Sequence, residues 1–425
     1  MEADACDVLC NTRDPEELNR LCACTLLDVS HVRESLGTIG PAVPTLDPAL
    51  HAHLFSPYAL FVHRTSLDLM GAVANAVFDI ARNPNYVDHV LGWAPDIALH
   101  DPGSLGGVLG LDFHLTVAGP RLIEINTNPG GLLLNARLVD AVRSCAPATW
   151  VPWTSGAQAR DASVAAWLQD ARAQLGRMPQ RIAIVDVAPR EQFLYPEFEL
   201  YAEAFRQQGV DSVICPPDAL TFGPDGLADA AGQIDAVYNR LTDFALADPA
   251  SAPLQQAYLE RAIALTPHPR AHALFADKRN LTPLADASLL EGWGVDPVVA
   301  HRLAQVIPST VEVTPENRDA LWADRRAYFF KPATGYGSRG TYRGDKLTQR
   351  VWNGMASSSY VAQAFAAPGV RIVHGGASLK ADIRCFASVS GVLMFAARLY
   401  QGQTTNMRTP GGGFAAVLTT PDGLA

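Results

Sequence analysis

Residues 121–131 read RLIEINTNPGG. Glu124, Asn126 and Asn128 occupy alternate positions, and Pro-Gly-Gly ends the run. Along a β-strand, residues two apart project to one side, so these side chains share a face. A carboxylate beside carboxamides supplies the hard oxygen donors that Mg²⁺ takes. The same alternation also describes the solvated face of an ordinary strand. Just upstream, GVLGLDFHLTV (107–117) is a second apolar strand and AGP (118–120) is turn-like, so the two segments predict a hairpin. That hairpin sets Asp112 beside Glu124. Two acids on one face repel one another unless a cation lies between them.

The rest of the chain bounds what such a site serves. With 425 residues, two or three domains are expected. An apolar content of 48% and a charged content of 18% describe an ordinary globular protein. The net charge of −10 argues against broad binding to nucleic acid or to an anionic membrane. The acidic start MEADACDVLC lacks the basic segment of a signal peptide. No apolar run reaches membrane-spanning length. With an odd count of seven scattered cysteines, these features predict a reducing, cytoplasmic setting. Cys6, Cys10, Cys22 and Cys24 fit no standard zinc spacing and read as helix-packing thiols.

Three regions follow from the patterning. Residues 1–177 combine amphipathic helical segments with the hairpin. Residues 178–270 alternate strand, helix and strand (RIAIVDV, YPEFELYAEAFRQQG, DSVICPP, IDAVYNRL), which predicts a small parallel α/β unit. It lacks GxGxxG, so dinucleotide binding is not indicated. Residues 271–425 carry strands AYFFKP and YVAQAFA, a hairpin LKADIRCFASVSGVLMFAARLY turning at Ser390-Gly391, and two glycine-rich loops.

Several cations stand where they can meet anionic oxygens. In FFKPATGYGSRG, Lys331 leaves a strand and is followed by Gly335, Gly337, Ser338, Arg339 and Gly340. Glycines let backbone N–H groups approach phosphate, although a plain surface turn has the same composition. Lys278 stands at a predicted helix start, and two lysines serve the phosphates of one nucleotide as point charges. Asp382 and Arg384 share a strand face, as a surface ion pair or as an arginine aimed at phosphate. Arg408 precedes Gly411, Gly412 and Gly413 in a loop suited to gripping a carboxylate. Arg240 ends a strand of the middle region, where α/β sheets place ligands. There is no GxSxG, and His268 and His272 lack a Glu that completes a zinc-hydrolase motif.

In this combination the chain resembles the ATP-grasp carboxylate–amine ligases. Lys278, Lys331, the loop 335–340, the hinge strand YVAQAF with Gln363, and Arg384 follow in that family's order. Asp112, Glu124, Asn126 and NPGG have its metal-strand pattern. Here that strand precedes the lysines, which is similar to the circularly permuted branch typified by eukaryotic glutathione synthetase. The resemblance covers roughly residues 55–420. It implies an α/β ATP-grasp fold in permuted order with an inserted parallel α/β substrate domain, and ATP and Mg²⁺ as cofactors. It further implies an acyl-phosphate route joining a small-molecule acid to an amine. Asp112, Glu124 and Asn126 are then metal ligands. Lys278, Lys331, Gly335, Gly337, Ser338, Gly340, Gln363 and Arg384 hold nucleotide. Arg240, Arg408, Gly412 and Gly413 hold substrate, with Lys331, Arg384 and Arg408 acting in catalysis. Two departures stand out: the glycine loop lacks that branch's acidic metal ligand, a charge Asp112 is expected to supply, and Gly110 and Leu111 occupy the region of its substrate arginine. A small-molecule kinase and a non-catalytic nucleotide-binding regulator remain alternatives. Oligomeric state stays open, a homodimer included.

Overall fold

The computed structural model describes residues 14–22, 24–37, 51–142, 149–335, 340–402 and 409–420. The first region contributes β1 (Leu60–Phe61), β2 (Leu109–Thr116), β3 (Gly119–Asn126) and β4 (Val151–Pro152). The middle region contributes β5 (Arg181–Val185), β6 (Asp211–Cys215), β7 (Thr221–Gly223), β8 (Gly226–Asp229), β9 (Gly232–Gln233), β10 (Ala236–Asn239) and β11 (Ala264–Thr266). The last contributes β12 (Thr310–Glu312), β13 (Tyr328–Pro332), β14 (Tyr342–Arg343), β15 (Tyr360–Ala364), β16 (Gly369–Ile372), β17 (Ser378–Ser388), β18 (Gly391–Tyr400) and β19 (Gly413–Thr419).

The central sheet runs β1-β19-β18-β17-β2-β3, with β16 on β17 and β4 on β19. It is assembled from both ends of the sequence: β17 pairs antiparallel with β2, setting Arg384 opposite Asp112. Alternation along β17 assigns its residues to two cores. Ile383, Cys385 and Ala387 face the helix Arg64–Ile80, whose Leu67, Met70, Val73, Ala74 and Val77 recur at helical spacing. Phe386 on the opposite face joins Ala396, Phe414 and the helices Leu132–Val139, Gly156–Leu175 and Tyr195–Gln207. The second of these helices starts at a Ser155/Gln158 capping box and stops at Gly176, where φ is 70°.

Strands β11-β10-β5-β6 form a wholly parallel sheet. Strands β12-β15-β13-β14 form an antiparallel one. The hairpin turns at Val117-Ala118, so Pro120 already lies in β3 opposite Leu115. Its register slips between Asp112 and Phe113, whose partners are Glu124 and Leu122, and Ile123 is therefore left without a partner on β2.

Cys22 is a buried free thiol, whereas Cys24 is disulfide-bonded. The packing-thiol reading is thereby corrected at Cys24, and Cys6 and Cys10 lie outside the described residues. Among the described residues, no helix is long and apolar enough to cross a membrane.

Candidate active site

The bulge in β3 builds the first half of the site. The carbonyl of unpaired Ile123 accepts a hydrogen bond from Lys331 Nζ at 2.7 Å. The same ammonium donates to Gln363 Oε1 at 2.8 Å. In the β13–β15 register Gln363 lies opposite Phe329, two residues from Lys331, so the pair shares a face. Burial drives the Lys331 pKa down to about 8; Glu124 works against that shift and Lys278 adds to it. Lys278 follows a single π-helical turn, His272–Ala276, of the kind often found at functional sites. Its Nζ lies 3.2 Å from Glu124 Oε1 and donates to the Gly335 carbonyl at 3.1 Å. Glu124, Lys278, Lys331, Gln363 and Gly335 thus converge from four separated segments.

A second cluster adjoins it. Asp112 accepts from Arg384 Nε at 2.6 Å and Arg384 Nη2 at 2.8 Å. It also accepts from Arg398 Nη2 at 2.9 Å and Asn126 Nδ2 at 3.1 Å. Burial favours the protonated acid, yet the Arg384 and Arg398 guanidiniums overcome it and hold the Asp112 pKa at about 2. Arg398 also donates to Asp382 Oδ1 at 2.7 Å. Two expectations are corrected here. Asp112 is engaged as the shared partner of two arginines and Asn126, with three hydrogen bonds on Oδ2 and one on Oδ1, rather than facing the cavity as a metal ligand. Arg384 pairs with Asp112, while Asp382 pairs with Arg398 across the hairpin. Gly110 gives Arg384 its room: an added Cβ there falls 2.6 Å from Pro129 Cβ and 3.1 Å from Arg384 Cδ.

The NPGG turn joins this cluster to the parallel sheet. Asn128 accepts from Arg240, the Gly130 carbonyl accepts from Arg384 at 3.3 Å, and Glu197 accepts from the N–H groups of Gly131 and Leu133 at 2.7 and 3.0 Å. Arg240 is held between the rings of Phe198 and Tyr238, at 5.4 and 5.5 Å. Its buried Nε has no hydrogen-bond partner among the described residues. A cavity of about 300 Å³ opens in front of it. Glu124, Asn126 and Gly335 line one side, and Asp186, Gln192 and Arg240 the other. Burial raises the Asp186 pKa to about 6, with Arg240 pulling it back.

A wider cleft of about 990 Å³ runs from the hairpin tip past Phe365, Ala366 and Ala367 to the helix Pro15–Leu21. His114 of β2 contacts the Ala366 carbonyl at 2.7 Å and ties the hairpin to this segment.

Other predicted residues fall elsewhere. Gln363 is buried and serves Lys331. Gly340 accepts from the Tyr360 hydroxyl at 3.1 Å. Gly412 and Gly413 do not line the cavity. An added Cβ at Gly413 falls 2.7 Å from the His53 carbonyl oxygen, and one at Gly412 falls 2.7 Å from that of Leu399, so both are packing glycines. Gly337, Ser338 and Arg408 lie outside the described residues. Sequence reasoning missed Arg398, Asp186, Gln192 and Glu197. Asp186 carried a readable signal: it follows β5 as Arg240 follows β10, at the ligand-binding ends of parallel strands.

A magnesium ion fits Glu124 and Asn126. Both are oxygen donors, both border the cavity, and Mg²⁺ commonly uses one or two side chains together with water and phosphate oxygens. Among the described residues no three His, Cys, Asp or Glu side chains gather as a metal cluster.

The fold is that of a glutathione synthetase-like protein. It superimposes on the glutathione synthetase-like effector GSS30 from Globodera pallida, in its apo form, with a TM-score of 0.57 at 11% identity, covering 85% of this chain and 89% of that one. A protein of Methylobacillus flagellatus KT provisionally designated a γ-glutamylcysteine synthetase gives 0.46 at 12% identity, covering 82% and 86%. The ATP-grasp ligase PsnB, complexed with minimal precursor, Mg and ADP, gives 0.28 at 17% identity, covering 54% and 90%. The fold assignment rests on the first. No protein-family model matches the sequence, and no curated protein matches it.

Proposed function

We propose that this protein is an ATP-dependent carboxylate–amine ligase, with the nucleotide-binding elements in circularly permuted order and residues 178–270 as the substrate-binding unit. The observation that carries the proposal is the convergence of Lys278 on Glu124 and of Lys331 on the adjacent Ile123 carbonyl, at the edge of the 300 Å³ cavity. The base lies in the wide cleft beside Phe365–Ala367 and the triphosphate points toward the two lysines. Glu124 and Asn126 hold Mg²⁺, which when bound neutralises and orients the β- and γ-phosphates. Asp112 positions rather than ligates: it fixes Asn126, Arg384 and Arg398.

The substrate carboxylate is held by Arg240, and a substrate ammonium by Asp186. The carboxylate oxygen attacks the γ-phosphorus, the bond to the ADP oxygen breaks, and an acyl phosphate forms. An amine then attacks the carbonyl, phosphate leaves and the amine proton is lost, giving an amide. The chain's contribution is alignment and neutralisation of charge, so no protein nucleophile is needed. The loop around Gly335–Gly340 excludes water from the acyl phosphate, and Arg408 supplies a further cation for substrate. The proposed location is the cytoplasm, where ATP is available, although the disulfide at Cys24 is a feature of oxidising compartments. Cell fractionation followed by immunodetection of the chain checks that location.

The test is ADP release with Mg²⁺ across a matrix of amino acids and amines, repeated with hydroxylamine as acceptor. A ligase yields ADP only when an acid is present and yields a hydroxamate from the trapped acyl phosphate. A stable phosphate ester without hydroxamate identifies a kinase instead, and acid-independent binding without turnover identifies a regulator.

A further inference from the structure

The walls of the 300 Å³ cavity say more about the acid than its charges do. Beside the polar groups, Phe193, Leu194 and Phe244, each part-buried, line the same cavity. The two phenylalanines are braced from behind. Phe193 stacks on His51 at 5.8 Å between ring centroids with an interplanar angle of 28°. Phe244 packs against His272 in a tilted arrangement, at 4.3 Å with an angle of 34°. His272 is in turn fixed by Thr127, in the segment that continues β3, and burial lowers its pKa to about 3, so the ring behind Phe244 is neutral. Packed aromatic pairs of this kind hold their geometry, and the apolar wall is therefore pre-formed rather than induced.

Ligand pockets set a few polar groups against a mainly apolar wall, and the polar groups fix orientation. Here the polar end is compact: Arg240 and Asp186 interact electrostatically, as the carboxylate and ammonium of one α-carbon would require of their partners. Asp186 lines the cavity together with the guanidinium, and no further cation of the described residues lines it. A substrate whose side chain carries a carboxylate would place that charge against Phe193, Leu194 and Phe244 with nothing to offset its desolvation.

Resting on the ligase reading for the reaction, we infer that the acid substrate is an α-amino acid with a large apolar side chain, aromatic or branched aliphatic. Arg240 takes its carboxylate, Asp186 its ammonium, and the Phe193–Phe244 wall its side chain. The product is then an amide of an apolar amino acid. The cavity is too near the lower end of ligand-pocket volumes, roughly 300–1,000 Å³, to take a long peptide on the acid side.

Calorimetric binding of L-Phe, L-Leu, L-Glu and L-Ser to the full chain, with Mg²⁺ and a non-hydrolysable ATP analogue, tests the inference. L-Phe and L-Leu are expected to bind at least about tenfold tighter than L-Glu and L-Ser, the discrimination a hydrophobic pocket of this kind supplies. Phe244→Ala and, on the other loop, Phe193→Ala should each remove most of that preference while circular dichroism shows the fold retained. Equal or tighter binding of L-Glu, binding by none of the four, or an unchanged preference in both variants overturns the inference. ADP release separates the two levels of argument. Turnover driven by acidic or small amino acids sinks the apolar slot and leaves the ligase standing, whereas apolar binding with no acid-dependent turnover sinks the ligase and leaves the slot.

Discussion

Two charged clusters lie side by side on the β2–β3 hairpin, and they are built on opposite principles. Asp112 is enclosed, with its side chain 2% exposed, and receives hydrogen bonds from two guanidiniums and an amide. Its cross-strand neighbour Glu124 has a side chain 30% exposed, a single ion pair to Lys278, and an edge on the cavity. The first cluster's acid already accepts four hydrogen bonds, is buried and does not line the cavity. The second retains acceptor capacity, and its cations are buried lysines rather than paired arginines. Two carboxylates in register on adjacent strands therefore separate into a structural knot and a site open to chemistry. What divides them is whether the partner charges come from the same sheet, as Arg384 and Arg398 do, or from segments that dock on it, as Lys278 and Lys331 do.

Removing the acid from each cluster should break this comparison in different observables. Asp112→Asn leaves two buried guanidiniums without their shared counter-charge. It should lower unfolding free energy by about 3–5 kcal/mol, as loss of one partner from a buried ion pair does, visible as a reduced urea midpoint. Glu124→Gln and Lys331→Ala should instead lower ADP release by at least about a hundredfold, the scale of lost charge stabilisation at a transferring phosphoryl group, with urea midpoints close to that of the parent. A stable Asp112→Asn protein, or near-normal turnover in both site variants, means that the division between the clusters is wrongly drawn.

The hairpin, the strands of the parallel sheet and the two lysine-bearing segments were legible because each is written locally, as alternation or an apolar run between turn residues. Partner choice was not. Arg384 reads equally well as a partner of Asp382 two residues away or of a phosphate. Its true partner, Asp112, lies 272 residues distant and is reached only because β17 pairs with β2. Arg398 offered a usable clue: it and Asp382 are equally spaced about Ser390 at the hairpin turn, which sets them opposite each other. Gly412 and Gly413 misled because a glycine that admits a neighbouring backbone and one that admits an anion look alike until the neighbour is known. Asp186 and Phe244 lay in loops, whose placement depends on the sheet rather than on their own pattern.

The open cluster can be sharpened by pH. Burial sets Asp186 to titrate near 6, above the ordinary 3.8, so its carboxylate is charged above that pH and neutral below it. A substrate ammonium needs the charged form. KM for the acid should therefore rise about tenfold per pH unit below 6, while kcat changes little. Asp186→Asn should show a high KM that no longer varies over the same range. A KM that stays flat in the parent protein, or that falls with acid, removes Asp186 from the substrate site.

The smallest effect probes the ion pair that most distinguishes Glu124 from Asp112. Lys278 holds one oxygen of Glu124 at 3.2 Å, the carboxylate to which the proposed function assigns the divalent cation. In the absence of nucleotide the ammonium and the metal compete for the same carboxylate. Phosphate oxygens relieve the competition by drawing Lys278 toward themselves. Lys278→Met should then raise Mn²⁺ affinity about fivefold without nucleotide, corresponding to roughly 1 kcal/mol for a partly exposed ion pair, while weakening binding of the nucleotide itself. Electron paramagnetic resonance of free Mn²⁺ reads the first effect without any turnover. An unchanged or lower Mn²⁺ affinity would mean that the lysine does not guard the carboxylate. Glu124 would then be no freer to take a ligand than Asp112 is, and the contrast between the two clusters would vanish.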